Sequence, residues 1–209
     1  MINLKIAIQK SGRLNEDSLT LLKECGISIN NGKDQLMAQA SNFRLDVLYL
    51  RNSDIPQYVR DGVADIAIIG DNTEKEKKTG IRHVLDLGFS RCRLSIAVPK
   101  NVDFQDISYL QGKKIATSYP NSLKDFLTEN DIEAEIHEIS GSVEIAPNIG
   151  LADAICDLVS SGSTLFKNGL KEVYKIFESQ AILVANSGLC GEKQELLAQL
   201  VFRIKAVLA

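Results

Sequence analysis

The chain has 209 residues and a formal net charge of −3, and 44% of its residues are hydrophobic. This length and composition predict a globular protein with one large domain or two small ones. The slight acidic balance excludes a general nucleic-acid binder, because no basic excess is available to neutralise a phosphate backbone. A small anionic substrate stays possible, since a local pocket can be positive on an acidic protein.

The N-terminal segment, residues 1–8, has no basic region followed by an apolar core, and no apolar run is long enough to span a bilayer. We therefore expect a cytoplasmic protein with no membrane partner. The cysteines are scattered and form no CxxC pair, so neither a zinc site nor a disulfide framework is expected. They are Cys25, Cys92, Cys156 and Cys190.

Short apolar strands alternate with amphipathic helices along the chain, which is typical of an α/β fold with parallel strands. The first strand, residues 4–8, runs into the polar turn 9–13. The helix that follows is predicted to end near Gly26, because glycine is favoured just past the end of a helix. A second strand covers residues 45–50.

The next helix and strand complete the first lobe. Ser53 or Asp54 can cap this helix, since both side chains can accept a backbone N–H bond at a helix start. A third strand covers residues 65–69. The charged run Glu74–Lys78 mixes both signs, and we expect it to face water from a helix surface.

The second half of the chain repeats two landmarks of the first half in the same order. Lys114-Ile115-Ala116 matches Lys5-Ile6-Ala7, and Gly150-Leu151-Ala152-Asp153 matches Gly62-Val63-Ala64-Asp65. Such a repeat predicts two lobes of similar design.

The remaining apolar segments connect the predicted lobes. We interpret the strands 93–99 and 181–185 as the two crossings between them, because they do not fit the order of either lobe. Residues 191–208 have apolar side chains at helical spacing, so this helix is expected to pack on the first lobe. Ligands of such folds bind at the turns that follow the strands, in the cleft between lobes. The first predicted lobe consists of residues 1–92 and 181–209, and the second consists of residues 93–180.

The most informative stretch is an apolar strand with two acids, Asp153 and Asp157, that ends in a turn of serine, glycine and threonine. We call this turn, Ser160–Thr164, the hydroxyl turn. Its N–H groups and hydroxyls suit a phosphate monoester, and Gly162 lets the backbone come close. The two acids point to one face of the strand, and Asp157 is near enough to the turn to bind ribose hydroxyls. The alternatives are a capped turn facing solvent and, for Asp153, a simple cap.

Basic side chains follow the first two strands. Cations at strand ends can hold a departing pyrophosphate while positive charge builds on a ribose ring. For any one of them, a solvated surface role is the alternative. The cations are Lys10 and Arg13, which lie beside Ser11 and Gly12 after the first strand, and Arg51 after the second.

Several motifs together resemble the ATP phosphoribosyltransferase family over nearly the full length. The resemblance implies an α/β fold of the periplasmic-binding-protein type (type II), with two lobes and an active-site cleft between them. It also implies transfer of the phosphoribosyl group from phosphoribosyl diphosphate to N1 of ATP, the first step of histidine biosynthesis, with Mg²⁺ carried by the substrate. The motifs are Ile6–Leu14, Asp54–Pro56, Gly62–Gly70, Ile115–Pro120, Gly141–Pro147, Gly150–Asp153 and Ser161–Leu165.

The resemblance further implies a role for individual residues. The 5′-phosphate would be held by Ser161, Gly162, Ser163 and Thr164. The ribose would lie beside Glu144, Asp153 and Asp157, and Arg13 and Asp157 would be catalytic. Pyrophosphate or ATP would be faced by Lys10, Ser11, Gly12, Arg13, Arg51 and Tyr119. For Tyr119 an ordinary half-buried tyrosine is an equal alternative.

The partners expected from the resemblance depend on the form of the enzyme. Long-form members continue into a histidine-binding domain, whereas this chain stops at Ala209. This implies a short-form catalytic subunit that forms a homodimer and works with a histidyl-tRNA-synthetase-like regulatory subunit. A truncated long form is the alternative. Two other functions stay open: a non-catalytic two-lobed ligand-binding protein, and phosphoribosyl transfer to another base.

Overall fold

The computed structural model describes residues 2–30 and 35–209. Within these residues no helix has the length and apolar character needed to cross a membrane. In chain order the elements are β1 (Leu4–Gln9), α1 (Arg13–Glu24), β2 (Met37–Gln39), β3 (Leu45–Leu50), α2 (Ile55–Arg60), β4 (Ile66–Gly70), α3 (Asp71–Lys77), β5 (Arg82–Asp86), β6 (Cys92–Pro99), a 3₁₀ turn (Ile107–Leu110), β7 (Lys114–Thr117), α4 (Pro120–Glu129), β8 (Glu135–Glu138), two further 3₁₀ turns (Val143–Ile145 and Pro147–Ile149), β9 (Ala154–Val159), α5 (Ser163–Lys167), β10 (Leu170–Ser179), β11 (Ala181–Ala185) and α6 (Gly191–Leu208).

Contacts divide the chain into unit 1, Met1–Ser90 with Gln180–Ala209, and unit 2, Arg91–Ser179. Unit 1 contains a sheet with the strand order β2-β3-β1-β4-β11-β5. Strand β1 is parallel to β3 and β4, whereas β11 is antiparallel to β4 and β5. Helix α6 packs against α1 and β1, as its apolar stripe predicts. Its buried side chains are Leu196, Leu197, Leu200 and Ile204.

Unit 2 contains a sheet with the strand order β10-β6-β9-β7-β8. Strand β7 is parallel to β8 and β9, and β6 is antiparallel to β9 and β10. Apolar side chains cover both faces of this sheet: Leu94, Ile96 and Leu123 belong to one cluster, and Ile155 and Leu165 belong to the other. This double coverage explains why β6 and β9 read as nearly continuous apolar runs.

The interpretation of strands 93–99 and 181–185 as crossings between the lobes was wrong. Strand β6 is an inner strand of the unit 2 sheet, and β11 is an inner strand of the unit 1 sheet. All five residues of β11 are buried. Both segments are apolar because neighbours cover them on two faces, and their antiparallel pairing breaks the parallel order that the sequence predicts.

The repeated landmarks of the two halves build the same local structure in both units. In unit 1 the Asp65 carboxylate accepts the Lys5 N–H at 2.8 Å, and the Asp65 N–H donates to the Lys5 carbonyl at 2.9 Å. In unit 2 Asp153 makes the same two bonds with Lys114, at 2.9 and 2.8 Å. Each aspartate therefore fixes the start of one strand beside the start of its parallel neighbour.

Two local expectations differ from the structure. Asp54 occupies the N-cap position of α2, but its side chain makes no capping bond and instead accepts from the Ser53 hydroxyl at 2.9 Å. The charged run Glu74–Lys78 does lie largely on a helix, α3, but Glu76 is only 6% exposed. A seven-residue helix beside a sheet buries one face whatever its charge pattern. The charge pattern therefore predicted more exposure of this run to water than the structure has.

Candidate active site

The hydroxyl turn follows β9 in unit 2 and includes the first two residues of α5. Gly162 lies at the N-cap of α5 with a φ of 77°, in the left-handed region that other residues enter at a cost. The Ser161 hydroxyl donates to the Ser163 hydroxyl at 3.0 Å, and the Ser163 N–H lies 3.4 Å from Ser161 Oγ. Ser161, Ser163 and Thr164 are exposed, so a ligand can reach the turn.

A cavity of about 150 Å³ lies beside the hydroxyl turn, within unit 2. It is lined by both a carboxylate from β9 and a carboxylate from the 3₁₀ turn Val143–Ile145. Most of the hydroxyl turn completes the wall, although Ser163 is not among the lining residues. The structure therefore brings two of the three expected ribose acids to the expected phosphate turn. The polar lining residues are Glu144, Asp157, Ser160, Ser161 and Thr164, and Gly162 lies among them.

The electrostatics of this cavity centre on Asp157. Burial raises the pKa of its carboxyl to about 6, and the negative charge of Glu144 acts in the same direction. A hydrogen bond from the Leu158 N–H, at 2.8 Å, partly offsets the rise in pKa. The cavity thus holds a carboxylate whose loss of hydration is only partly offset by hydrogen bonding. Such a group favours binding of a ligand that donates hydrogen bonds or carries positive charge.

Asp153 lies elsewhere in unit 2. It precedes β9, whereas the hydroxyl turn follows this strand, and it does not line the cavity. One of its carboxylate oxygens accepts the Lys114 N–H. This bond matches that of Asp65 in unit 1, so the geometry gives Asp153 a structural function, and its role at the ribose stays a prediction.

The basic turn after β1 lies beside the end of β3 in unit 1. The Lys10 N–H donates to the Leu50 carbonyl at 2.8 Å, which places Lys10 next to the segment that begins with Arg51. Gly12 has a φ of 88°, and an added Cβ would lie 3.4 Å from Gln9 Nε2. The side chains of the turn and of Arg51 are exposed.

Arg13 and Tyr119 each contact neighbours of their own unit. Arg13 begins α1, is 67% exposed, and has its Nε 3.8 Å from a carboxylate oxygen of Asp17. Tyr119 is half-buried at the N-cap of α4 and packs against the apolar cluster of unit 2. Both alternatives for Tyr119, a ligand contact and a core residue, stay open.

Sequence reasoning missed the side chains that support the hydroxyl turn. Arg93 on β6 donates to the Ser160 carbonyl at 3.1 Å and pairs with Glu172 on β10. Ser95, which is 1% exposed, also donates to Glu172, at 2.8 Å. The available signal was the occurrence of Arg93 and Ser95 at alternate positions of an otherwise apolar strand, where polar side chains need buried partners.

The fold of the two units defines the class of protein. Two α/β units with mixed sheets form a fold of the type II periplasmic-binding-protein kind. A solved substrate-binding protein of an amino acid ABC transporter has this fold with a TM-score of 0.62, at 13% identity over 98% of this chain and 92% of that chain. Its likeness concerns the fold alone. The hydroxyl turn adds a cavity in which hydroxyl groups meet the carboxylates of Glu144 and Asp157.

The chain belongs to the ATP phosphoribosyltransferase family, whose sequence model matches residues 51–206. An ATP phosphoribosyltransferase of Cytophaga hutchinsonii is 59% identical over 204 residues, which are 98% of this chain and 71% of that protein. A chain of the ATP phosphoribosyl transferase (HisG:HisZ) complex from Thermotoga maritima is 29% identical, with a TM-score of 0.84 and 98% of both chains covered. The protein is thus a transferase of the pentosyl-transferring class, which decides against a non-catalytic ligand-binding protein.

Proposed function

We propose that this chain transfers the phosphoribosyl group of phosphoribosyl diphosphate to N1 of ATP, forming phosphoribosyl-ATP and releasing pyrophosphate. The observation that carries this proposal is the cavity in which Glu144 and Asp157 meet the hydroxyl turn. Family membership supports the choice of ATP as the acceptor. Because N1 of adenine has a free lone pair near neutral pH, the reaction needs positioning and charge stabilisation more than a general base.

In this proposal the hydroxyl turn binds the 5′-phosphate through its backbone N–H groups and the hydroxyls of Ser161, Ser163 and Thr164. Gly162 keeps the turn in a conformation that a side chain would oppose. Asp157 and Glu144 accept hydrogen bonds from the ribose hydroxyls. Their negative charge also stabilises the positive charge that develops on the ribose as the bond to pyrophosphate breaks.

The cations of unit 1 are proposed to bind the phosphates of the leaving group or of ATP. Lys10 and Arg51 suit this function because they follow the ends of paired strands and their side chains are exposed. Arg13 begins α1, and Ser11 and Gly12 lead into it with backbone groups that an anion can approach. Tyr119 is retained as a contact of ATP on the strength of the family resemblance alone.

Mg²⁺ is proposed to enter on the phosphates of the substrate. Glu144 and Asp157 offer the carboxylate oxygens that this ion prefers, and Mg²⁺ commonly binds one or two carboxylates together with substrate phosphates and water. In residues 2–30 and 35–209, no cluster of three or more His, Cys, Asp or Glu side chains could hold a metal ion. When bound, the ion neutralises charge on the departing pyrophosphate.

The proposal is tested by assaying phosphoribosyl-ATP formation from ATP, phosphoribosyl diphosphate and Mg²⁺, with and without a regulatory subunit. Asp157→Asn and Arg13→Ala are each expected to lose about 2–4 kcal/mol of transition-state stabilisation while staying folded. Asp103→Asn removes an exposed acid of unit 2 outside the cavity and serves as the control. The absence of product with both subunits present, or near-native rates for both site variants, would overturn the proposal.

We also propose that a histidyl-tRNA-synthetase-like subunit regulates the chain, in a complex that contains a homodimer of catalytic subunits. The support is the coverage of 98% of both chains in the comparison with the Thermotoga maritima complex. A regulatory domain on the same polypeptide is the alternative, since the Cytophaga hutchinsonii relative extends beyond the matched segment. Purification of the native protein tests this: a separate partner that co-purifies supports the proposal, and a native polypeptide much longer than 209 residues contradicts it.

A further inference from the structure

The end of β9 receives support from a charged side chain that does not enter the cavity. Arg93 on β6 is the backbone partner of Val159, the last residue of β9. Its side chain extends one residue further, and Nη1 donates to the Ser160 carbonyl at 3.1 Å. Arg93 itself is not among the residues that line the cavity.

The guanidinium of Arg93 is held from the opposite side by strand β10. Its Nε donates to one carboxylate oxygen of Glu172 at 2.5 Å, and Nη2 donates to the other oxygen. The buried Ser95 hydroxyl adds a bond to the same carboxylate. This pairing lowers the pKa of Glu172 and raises that of Arg93, so both groups stay ionised across the neutral range. A bidentate arginine–carboxylate pair fixes direction as well as distance.

Fixing the Ser160 carbonyl also fixes the next N–H group. The peptide bond is planar and trans, so its N–H points opposite to its C=O. When Arg93 holds the Ser160 carbonyl on its own side, the Ser161 N–H is turned away from Arg93. A backbone N–H that is oriented before the ligand arrives costs less to order during binding.

We propose that Arg93, oriented by Glu172, is a positioning residue that sets the hydroxyl turn for the 5′-phosphate of phosphoribosyl diphosphate. It acts through the Ser160–Ser161 peptide and not by touching the substrate. This inference rests on the proposed function of the hydroxyl turn. It assigns a role at that turn to a residue of β6, a strand that is distant in sequence from β9 and the hydroxyl turn.

The test compares Arg93→Gln and Arg93→Lys with the wild-type protein. Calorimetry with ribose 5-phosphate measures the Kd of a ligand that carries the 5′-phosphate but no pyrophosphate. Steady-state kinetics measure kcat and the KM of each substrate. Arg93→Gln is expected to raise both the Kd of ribose 5-phosphate and the KM of phosphoribosyl diphosphate by about tenfold, with the KM of ATP changed less than about twofold. Arg93→Lys keeps one charged donor, so an increase of about threefold is expected.

Arg44→Gln is the control, because Arg44 also pairs with a glutamate, Glu192, but lies in unit 1. It should leave all of these constants unchanged. An unchanged Kd for ribose 5-phosphate in Arg93→Gln, or an equal rise in KM for both substrates, would overturn the inference. If Arg93→Gln does not fold, the Kd of Arg93→Lys decides in the same way. A wild-type protein that makes no product contradicts the proposed function instead, so the two failures are distinguishable.

Discussion

At the scale of single residues, Asp157 combines a cost in stability with a proposed function in binding. Its folded pKa of about 6 lies above the ordinary value near 4 of an unfolded chain. Between these two values the folded state binds more protons than the unfolded state, so the contribution of Asp157 to stability rises as pH falls from about 7 to about 4. At neutral pH the charged carboxylate therefore destabilises the fold.

We accordingly predict that Asp157→Asn raises the free energy of unfolding at pH 7.5 by about 1–3 kcal/mol while it lowers activity. The amide oxygen can still accept the Leu158 N–H, so the backbone contact is retained. Denaturant unfolding of both proteins at pH 7.5 and 4.5 provides the measurement. The gain in stability should shrink at the lower pH, and a variant that is less stable than wild type at pH 7.5 would contradict the argument.

Gly162 offers a second test at the same scale, because its φ of 77° opposes any side chain. Gly162→Ala is expected to cost about 1 kcal/mol of stability and to weaken ribose 5-phosphate binding by shifting the hydroxyl turn. Gly112→Ala is the matched control, since Gly112 has a φ of 69° and open space for a Cβ. The two variants are expected to lose about the same stability. Only Gly162→Ala should change the Kd of ribose 5-phosphate. The same Kd for both variants would show that the turn tolerates the shift.

At the scale of elements, the two aspartates that fix strand starts differ in their surroundings. Asp65 is 4% exposed and also pairs with Lys193 at 2.8 Å, whereas Asp153 is exposed. Asp65→Ala leaves the Lys5 N–H and a partly buried ammonium without their acceptor, so a loss of about 2–3 kcal/mol is expected. Asp153→Ala should cost about 1 kcal/mol. Thermal unfolding measures both losses.

The Asp153 variant also tests a role that the sequence predicts and the geometry leaves open. If Asp153 only fixes the start of β7, its alanine variant should keep the KM of phosphoribosyl diphosphate within about twofold of wild type. A rise of tenfold or more with little loss of stability would instead support its assignment to the ribose.

The sequence predicted elements well where one property determined them. Strands β3 and β11 and helix α6 have the predicted bounds, because a compact apolar run or a regular 3.6-residue spacing marks them locally. The place of β6 and β11 within the sheets could not be predicted, since strand pairing joins residues distant in sequence. The burial of Glu76 could not be predicted for a similar reason, because it depends on which face of the helix meets the sheet.

The candidate site was predictable to a comparable extent. Asp157 and the hydroxyl turn are adjacent in sequence, and their shared cavity follows from one strand and the turn after it. Glu144 was assigned by resemblance, and its place in the cavity depends on how residues 143–145 fold back onto β9. The support from Arg93 and Glu172 crosses three strands, so the polar positions of β6 could signal buried partners but could not identify them.

At the scale of the whole molecule, the chain builds its two units in different ways. Unit 2 is one continuous segment, Arg91–Ser179, and all five strands of its sheet come from within it. Unit 1 is built from two segments, Met1–Ser90 and Gln180–Ala209. The second segment supplies β11, which lies between β4 and β5, and α6, which packs on α1 and β1. Strand β5 pairs with β11 alone among the described strands. Residues Gln180–Ala209 therefore complete unit 1 and contribute no strand to the sheet of unit 2.

This difference predicts the behaviour of two fragments. A fragment of residues 91–179 should fold alone, because a domain of this size with a complete sheet and two apolar clusters can bury enough surface. A fragment of residues 1–179 should contain a folded unit 2 beside an unfolded unit 1, because it lacks β11 and the four buried apolar side chains of α6. Amide hydrogen exchange should show protection in β6, β7 and β9 of both fragments and none in β1 or β4 of the longer one. Protected amides in β1 or β4 would mean that unit 1 folds without its C-terminal strand, contrary to the burial of every residue of β11.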